Sequence, residues 1–279
     1  MSTITLKRIR LKVARDVKHL RQDFFFKKTR KKKIIFIVGC QRSGTTMLSK
    51  IFDKDKNVRV YPEKSRLTSK SAPEYLKFNP LDEVKQLLYK RGAPVLLMKP
   101  LVESQNTIAL LDYFENSKAI WAFRNYKDVA SSNLKKFNAE NGINDLRPIA
   151  HLESNNWRAE NVSEKTQQIV KTHFSENMSY ADAAALFWYC RNILFFEQQL
   201  ENNERVYLCK YEKLVTHPTD IMKKVYNFLD IGLPMKHILA GIHPGSISKG
   251  KNLNLSPEIE HLCESLLDKL NMVYSKNWH

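Results

Sequence analysis

The sequence predicts an α/β fold: a doubly wound, mainly parallel sheet with helices on both faces, built as one domain over residues 34–279 behind a basic amphipathic extension at 1–33. Three observations predict it. Short runs of β-branched and aromatic residues alternate with stretches whose apolar positions recur at helical spacing. The first run, Ile34 to Val38, is apolar without alternation, as a parallel strand covered on both faces requires. No internal repeat and no linker-like segment divides the chain after it.

Composition sets the outer bounds. With 279 residues, 43% hydrophobic and 10% aromatic, the chain can bury a full α/β core. Its net charge of +17 is uneven: residues 1–33 hold 13 lysines and arginines against Asp16 and Asp23, a net +11, which leaves +6 for the rest. That remainder favours a polyanionic ligand without indicating a nucleic-acid-binding domain. The four cysteines, Cys40, Cys190, Cys209 and Cys263, lack the short spacings of a zinc site or a disulfide framework, which fits a reducing compartment. No run approaches the roughly 18 apolar residues of a membrane span, and the first residues lack the apolar segment of a secretory signal, so a soluble, cytoplasmic protein is expected.

Each element has its own signal. Over residues 4–26, Ile9, Val13, Val17, Leu20 and Phe24 form one stripe of a helix whose other faces are cationic. Two readings of it stand: an interfacial helix that meets an anionic membrane surface or a polyanionic partner, or one whose stripe packs on its own domain, which is the commoner case. After the strand at 34–38 a loop runs from Gly39 to Gly44, and Met47, Leu48, Ile51 and Phe52 give the face of a following helix. Further strands are expected at Val58–Tyr61, Pro94–Met98, Ala119–Phe123 and Arg205–Cys209. Helices are expected around Leu81–Tyr89, Thr107–Phe114, Ser179–Leu200 with Ser179 as cap, Ile221–Leu229, and Pro257–Tyr274. The Asn-rich stretch 138–177 is weakly periodic and reads as an irregular lid over an acceptor. Its isolated features are Trp157, His151 and His173; the histidines are read as surface residues, with a lid histidine, His151 or His173, left as the alternative general base.

The chemistry begins at the loop. A strand, a loop bounded by Gly39 and Gly44, and a helix direct backbone N–H groups and the positive helix end onto an anion. The spacing is that of the nucleoside-triphosphate loop G-x-x-x-x-G-K-[ST], yet Thr45 stands where the lysine belongs and the strong cation lies within the loop, at Arg42. An ordinary ATPase or kinase is therefore disfavoured. Cys40, a small residue in a tight loop, is assigned no catalysis.

The segment Q-R-S-G-T-T-M-L, Gln41 to Leu48, resembles the phosphosulfate loop of the sulfotransferases that use 3′-phosphoadenosine 5′-phosphosulfate (PAPS). A second segment, R-N-Y-K-D-V-A-S-S-N-L from Arg124, resembles the same family's 3′-phosphate motif, an arginine followed eight residues later by a serine. The resemblance covers about residues 34–275 and implies that Gln41, Arg42, Ser43, Gly44, Thr45, Thr46 and Met47 surround the 5′-phosphosulfate. It implies that Arg124 and Ser132 bind the 3′-phosphate, the serine from the opening turn of a helix. Tyr211, in V-x-x-x-x-Y-E-x-L, corresponds to a tyrosine that contacts adenine, although packing beside the sheet explains it equally well. Ser248, Lys249 and Lys251, in H-P-G-S-I-S-K-G-K-N, fall in the loop that closes over the 3′-phosphate. Trp188 is read as core.

The base departs from the cytosolic branch of the family. Its K-T-H would end the strand at Lys99, but Leu101 stands in place of the histidine, and Lys171-Thr172-His173 occurs too late in the chain. Val58-Arg59 and Glu63 instead match the branch that includes the protein-tyrosine sulfotransferases, which makes Glu63 the expected base and Lys99 a cation beside the sulfuryl group. The catalytic expectation is thus Arg42, Glu63 and Lys99, with no metal. The expected reaction moves a sulfuryl group from PAPS to a hydroxyl or amine of a small-molecule, carbohydrate or peptide acceptor and releases adenosine 3′,5′-bisphosphate. A P-loop kinase or NTPase and a non-catalytic binder of polyanions are the alternatives. The acceptor and the oligomeric state are not legible.

Overall fold

The computed structural model describes residues 3–26, 31–70, 74, 76–234 and 236–276. Its element order is helix α1 (Thr3–Phe25), strand β1 (Lys33–Gly39), α2 (Thr45–Asp53), β2 (Val58–Tyr61), α3 (Leu81–Tyr89), β3 (Val95–Met98), α4 (Thr107–Tyr113) and β4 (Ser117–Phe123). Then follow α5 (Tyr126–Lys136), α6 (Asn141–His151), α7 (Glu164–His173), α8 (Tyr180–Glu197), β5 (Val206–Lys210), α9 (Tyr211–Thr216), α10 (Pro218–Phe228) and α11 (Pro257–Lys276). All five strands pair in parallel, in the order β2-β3-β1-β4-β5. Together they make a single α/β domain, the fold class expected from the sequence.

The continuous apolar run of β1 is explained by burial on both faces. Ile34, Phe36 and Val38 enter a core with α3, α5, α6, α8 and α11, while Ile35 and Ile37 enter a second core with α2 and α10. Because the chain moves outward from β1 to β2 and then crosses back to β4, the crevice for a ligand lies at the C-terminal end of β1. All four cysteines are buried and free. Among the described residues no helix is long and apolar enough to cross a membrane.

Two expectations are corrected. Residues 138–177 are not an irregular lid: α6 and α7 fill much of the segment, and Ile143, Leu146 and Ile149 enter the core. Pro148 inside α6 and the surrounding asparagines hid this helix, since both residue types ordinarily mark turns.

The other correction concerns α1. Its stripe does not pack on the domain, for Val13, Val17, Leu20 and Phe24 are all exposed. The polar face is the one that docks. Lys18 Nζ donates to the Asp53 carbonyl at 2.6 Å and to its carboxylate at 3.1 Å, and Gln22 Nε2 donates to the Lys56 and Val58 carbonyls at 2.9 and 3.2 Å. Asp23 accepts from Arg59 at 2.6 Å and from the Gly92 amide at 2.8 Å. The side chain of Ile9 and residues 27–30 of the basic run lie outside what is described.

Candidate active site

The phosphate-type loop is held open by two glycines. At Gly39, φ is +113°, and a Cβ would lie 2.4 Å from the carbonyl oxygen of Ala122, its partner at the end of the β1–β4 ladder. At Gly44, φ is +88°, and a Cβ would lie 2.3 Å from the Tyr211 ring. Between them Arg42 adopts φ +64°, a left-handed conformation that L-residues other than glycine rarely take. Ser104 clamps the loop's start by accepting from the Gly39 amide at 3.0 Å while its own hydroxyl donates to the Leu101 carbonyl at 2.8 Å. Among the described residues no side chain caps α2, and since the Met47 amide donates to the Gly44 carbonyl at 2.9 Å, the first-turn N–H groups left for an anion are those of Thr45 and Thr46. Burial pushes the Cys40 thiol up to about 12, so it fills the loop as an inert small group.

A stability prediction arises here. Gly39→Ala forces a backbone atom to shift, whereas Gly44→Ala displaces only a side-chain ring. Left-handed strain and overpacking each cost about 1–3 kcal/mol, so both variants should unfold at lower denaturant, Gly39→Ala more so. Urea unfolding followed by circular dichroism checks the order.

On one side of the loop the cations converge. Arg42 Nε donates to Ser132 Oγ at 3.0 Å. Arg124, at the end of β4, donates from Nη1 to the Arg42 carbonyl at 3.4 Å and from Nη2 to the Ser246 carbonyl, lies 3.4 Å from the Asp128 carboxylate, and sits 4.5 Å over the Tyr211 ring. Trp188, fully buried as expected, donates from Nε1 to the Arg124 carbonyl at 3.0 Å and so fixes the strand end. Arg42 has no carboxylate within ion-pair distance among the described residues, and burial, reinforced by Arg124, lowers its pKa. Arg124 Nε is buried without a hydrogen-bond partner among them. Two neighbouring guanidiniums with one carboxylate between them form a site short of negative charge.

The loop 243–252 is pinned to the same place. Asp128 accepts from the backbone amides of Ser248 at 2.9 Å and Gly250 at 2.8 Å, and Tyr211 shares a hydrogen bond with Ser246 Oγ. Ser248, Lys249 and Lys251 are themselves exposed. Ser248 and Lys251 line a neighbouring cavity of about 740 Å³, while the Lys249 carbonyl accepts from Ser131 Oγ at 3.4 Å. Ser132 belongs to the second turn of α5, not its opening turn; the side chain that caps α5 is Asn125, which accepts from the amides of Lys127 and Asp128. Tyr211 is the first residue of α9 and is packed against Gly44, so the structure accounts for it through loop packing.

On the other side lies a cavity of about 410 Å³. Gln41, Arg42, Thr45 and Thr46 border it from the loop, with Glu63 and Lys99 from the ends of β2 and β3. Glu63 Oε1 lies 3.2 Å from Lys99 Nζ, which reaches to 3.3 Å of Thr46 Oγ1. Sequence reasoning had not found the opposite wall. Asp145 accepts from Gln41 Nε2 at 3.2 Å, from Asn141 at 2.7 Å and from Arg158 Nε at 2.6 Å, with burial raising its carboxyl against the opposing pull of Arg158. Arg191, buried in α8, donates to the Leu101 carbonyl at 2.8 Å and to Gln105 Oε1 at 3.2 Å. Its pKa is lowered to about 10 by burial. Among the described lining residues neither His151 nor His173 occurs.

The comparisons fit this geometry. The family model described as a sulfotransferase domain matches residues 32–260. The chain belongs to the sulfotransferase family. Among solved structures, the sulfotransferase domain from the Synechococcus PCC 7002 olefin synthase is similar at 16% identity and TM-score 0.55, covering 87% of this chain and 98% of that one. The sulfotransferase domain from the curacin biosynthetic pathway gives 16% identity and TM-score 0.57 over 87% and 99%. A sulfotransferase from Alicyclobacillus acidocaldarius gives 14% and 0.50 over 88% and 95%. These likenesses concern the fold. No curated protein matches the sequence.

For a sulfotransferase, the two sides of the loop divide the work physically. The cationic side, with Arg42, Arg124 and Ser132, suits anionic oxygens, and the cavity side places a carboxylate, Glu63, and an ammonium, Lys99, next to the loop's Thr46.

Proposed function

We propose that this sulfotransferase takes its sulfuryl group from PAPS and delivers it to a hydroxyl or amine in the 410 Å³ cavity, releasing adenosine 3′,5′-bisphosphate. The observation that carries the reading is the pairing of half-buried Arg42 with buried Arg124 around Ser132 and Tyr211, two cations with a deficit of carboxylates. A donor with phosphate groups at both its 3′ and 5′ positions supplies the missing charge. In this reading Arg42, the loop amides, Thr45 and Thr46 hold the phosphosulfate, Gln41, Ser43, Gly44 and Met47 shape its cradle, and Arg124 with Ser132 holds the 3′-phosphate. The loop with Ser248, Lys249 and Lys251 closes that end.

The acceptor oxygen or nitrogen forms its bond to sulfur as the bond from sulfur to the bridging phosphate oxygen breaks. The electron pair of that bond leaves on the bisphosphate, and the acceptor's proton passes to Glu63. Cations and loop amides offset charge on the departing oxygens. Lys99 stands between Glu63 and Thr46, where it orients the carboxylate and faces the transferred group. Small-molecule, carbohydrate and peptide acceptors are all compatible with the cavity.

A kinase or NTPase remains the contrasting reading, and Thr45 in place of the loop lysine is the observation against it. Thermal unfolding separates the two. Adenosine 3′,5′-bisphosphate at about a hundredfold excess over its Kd should stabilise the chain by about 2.7 kcal/mol, with ATP at equal concentration giving much less. Equal stabilisation by both nucleotides, or by neither, removes PAPS from the account.

A further inference from the structure

Helix α1 is built the wrong way round for a helix that serves only its own domain. Three of its polar residues, Lys18, Gln22 and Asp23, are locked onto Asp53, Lys56, Val58, Arg59 and Gly92, while Arg15, Asp16 and Arg21 stay exposed. Its apolar residues face outward: relative exposure is 55% at Val13, 43% at Val17, 70% at Leu20, 81% at Phe24 and 72% at Phe25. The first four recur at intervals of four, three and four residues and therefore form one stripe along the helix. Rolling that stripe onto the domain would break the inward contacts, so the outward orientation is fixed by the fold.

What covers the stripe must accept hydrocarbon and also tolerate a strong positive field, because residues 1–33 carry a net +11. A second copy of the chain would bring the same charge against itself. A nucleic acid would match the charge and leave the apolar stripe facing phosphate and water. An anionic lipid surface satisfies both, with headgroups for the cations and acyl chains for Leu20, Phe24 and Phe25. We propose that α1 is a surface-anchoring helix that lies in the plane of an anionic bilayer and tethers the enzyme peripherally.

The placement gives the tether a direction. Asp53, Lys56, Val58 and Gly92, which hold α1, lie at the N-terminal ends of β2 and β3, whereas Gly39, Glu63, Lys99 and Arg124 lie at or just beyond the C-terminal ends of their strands. The anchor and the cleft are thus separated by the height of the sheet, roughly 15–20 Å at about 3.3 Å per residue. A bilayer under α1 leaves the cleft open to water, so the acceptor arrives from the aqueous side.

Vesicle sedimentation with the full chain tests this. At about 0.1 M salt the chain should pellet with phosphatidylcholine vesicles containing about 30% phosphatidylserine and stay in solution with phosphatidylcholine alone. Leu20→Asp combined with Phe24→Asp should reduce partitioning by about a hundredfold or more, since it removes two inserted side chains and adds two charges opposed by the surface. Both sites are exposed, so the circular dichroism spectrum and unfolding temperature should not change. Failure to bind the anionic vesicles, or undiminished binding by the double variant, overturns the proposal. A dimer in solution that the double variant dissociates also overturns it, because the stripe then belongs to a second copy. Tighter retention on duplex DNA than on the vesicles overturns it in favour of a nucleic-acid partner.

Discussion

Replacing Glu63 by Gln is expected to lower kcat by about 10²–10⁴ while leaving the affinity for adenosine 3′,5′-bisphosphate nearly unchanged. The amide keeps the shape of the carboxylate and can still accept from Lys99, whose Nζ lies 3.2 Å from Glu63 Oε1, but it cannot take the acceptor's proton. The competing account is a partly exposed ion pair that only stiffens the cavity rim, and such pairs contribute about 0–1 kcal/mol. On that account the Glu63→Gln variant and wild type should differ by no more than a few-fold, and Lys99→Ala should do the same. Single-turnover rates, which isolate the chemical step, distinguish the two. Near-full kcat in Glu63→Gln would move the base elsewhere. The next residue to test is then Asp145, because it lines the cavity and its carboxyl is raised by burial, while His151 and His173 are not among the lining residues.

The sheet was legible because parallel strands buried on both faces leave uninterrupted apolar runs, and those of β1 and β4 are fully interior. The loop was legible because its glycines are required by geometry. The reason for one of them was not, since Gly44 answers to the ring of Tyr211, far along the chain. Periodicity revealed the stripe of α1 and could not reveal which way it faced. That was decided by polar residues, Lys18, Gln22 and Asp23, whose partners lie on three other segments. The cavity's far wall was hidden for a related reason. Asp145, Arg158 and Arg191 carry no motif and acquire meaning only when α6, the segment after it and α8 fold against the loop. Long-range polar pairing leaves no periodic trace, and here it builds the polar part of the cavity's far wall.

Arg124→Ala carries the second large expectation: the affinity for adenosine 3′,5′-bisphosphate should fall by about 10–150-fold, the equivalent of about 1.5–3 kcal/mol for a charge-assisted contact. The fold should survive. Asp128, the carboxylate 3.4 Å from Arg124, also accepts from the Ser248 and Gly250 amides, so it is not left buried without a partner. The Tyr211 ring keeps its packing against Gly44. What disappears is a guanidinium fork whose Nε has no partner among the described residues and whose neighbour Arg42 cannot replace it, because Arg42 Nε is committed to Ser132. Calorimetry with two nucleotides makes the test specific. Adenosine 5′-monophosphate lacks the 3′-phosphate, so its weaker binding should be almost the same in wild type and variant, and the whole loss should fall on the bisphosphate. Arg124→Lys should recover only part of it, since an ammonium retains the charge without the bidentate geometry. By the same logic adenosine 5′-phosphosulfate should be a much poorer donor than PAPS for the wild-type enzyme. An equal loss for both nucleotides would mean that Arg124 supports the loop instead of reading the 3′-phosphate, and no loss for either would place that phosphate elsewhere on the chain.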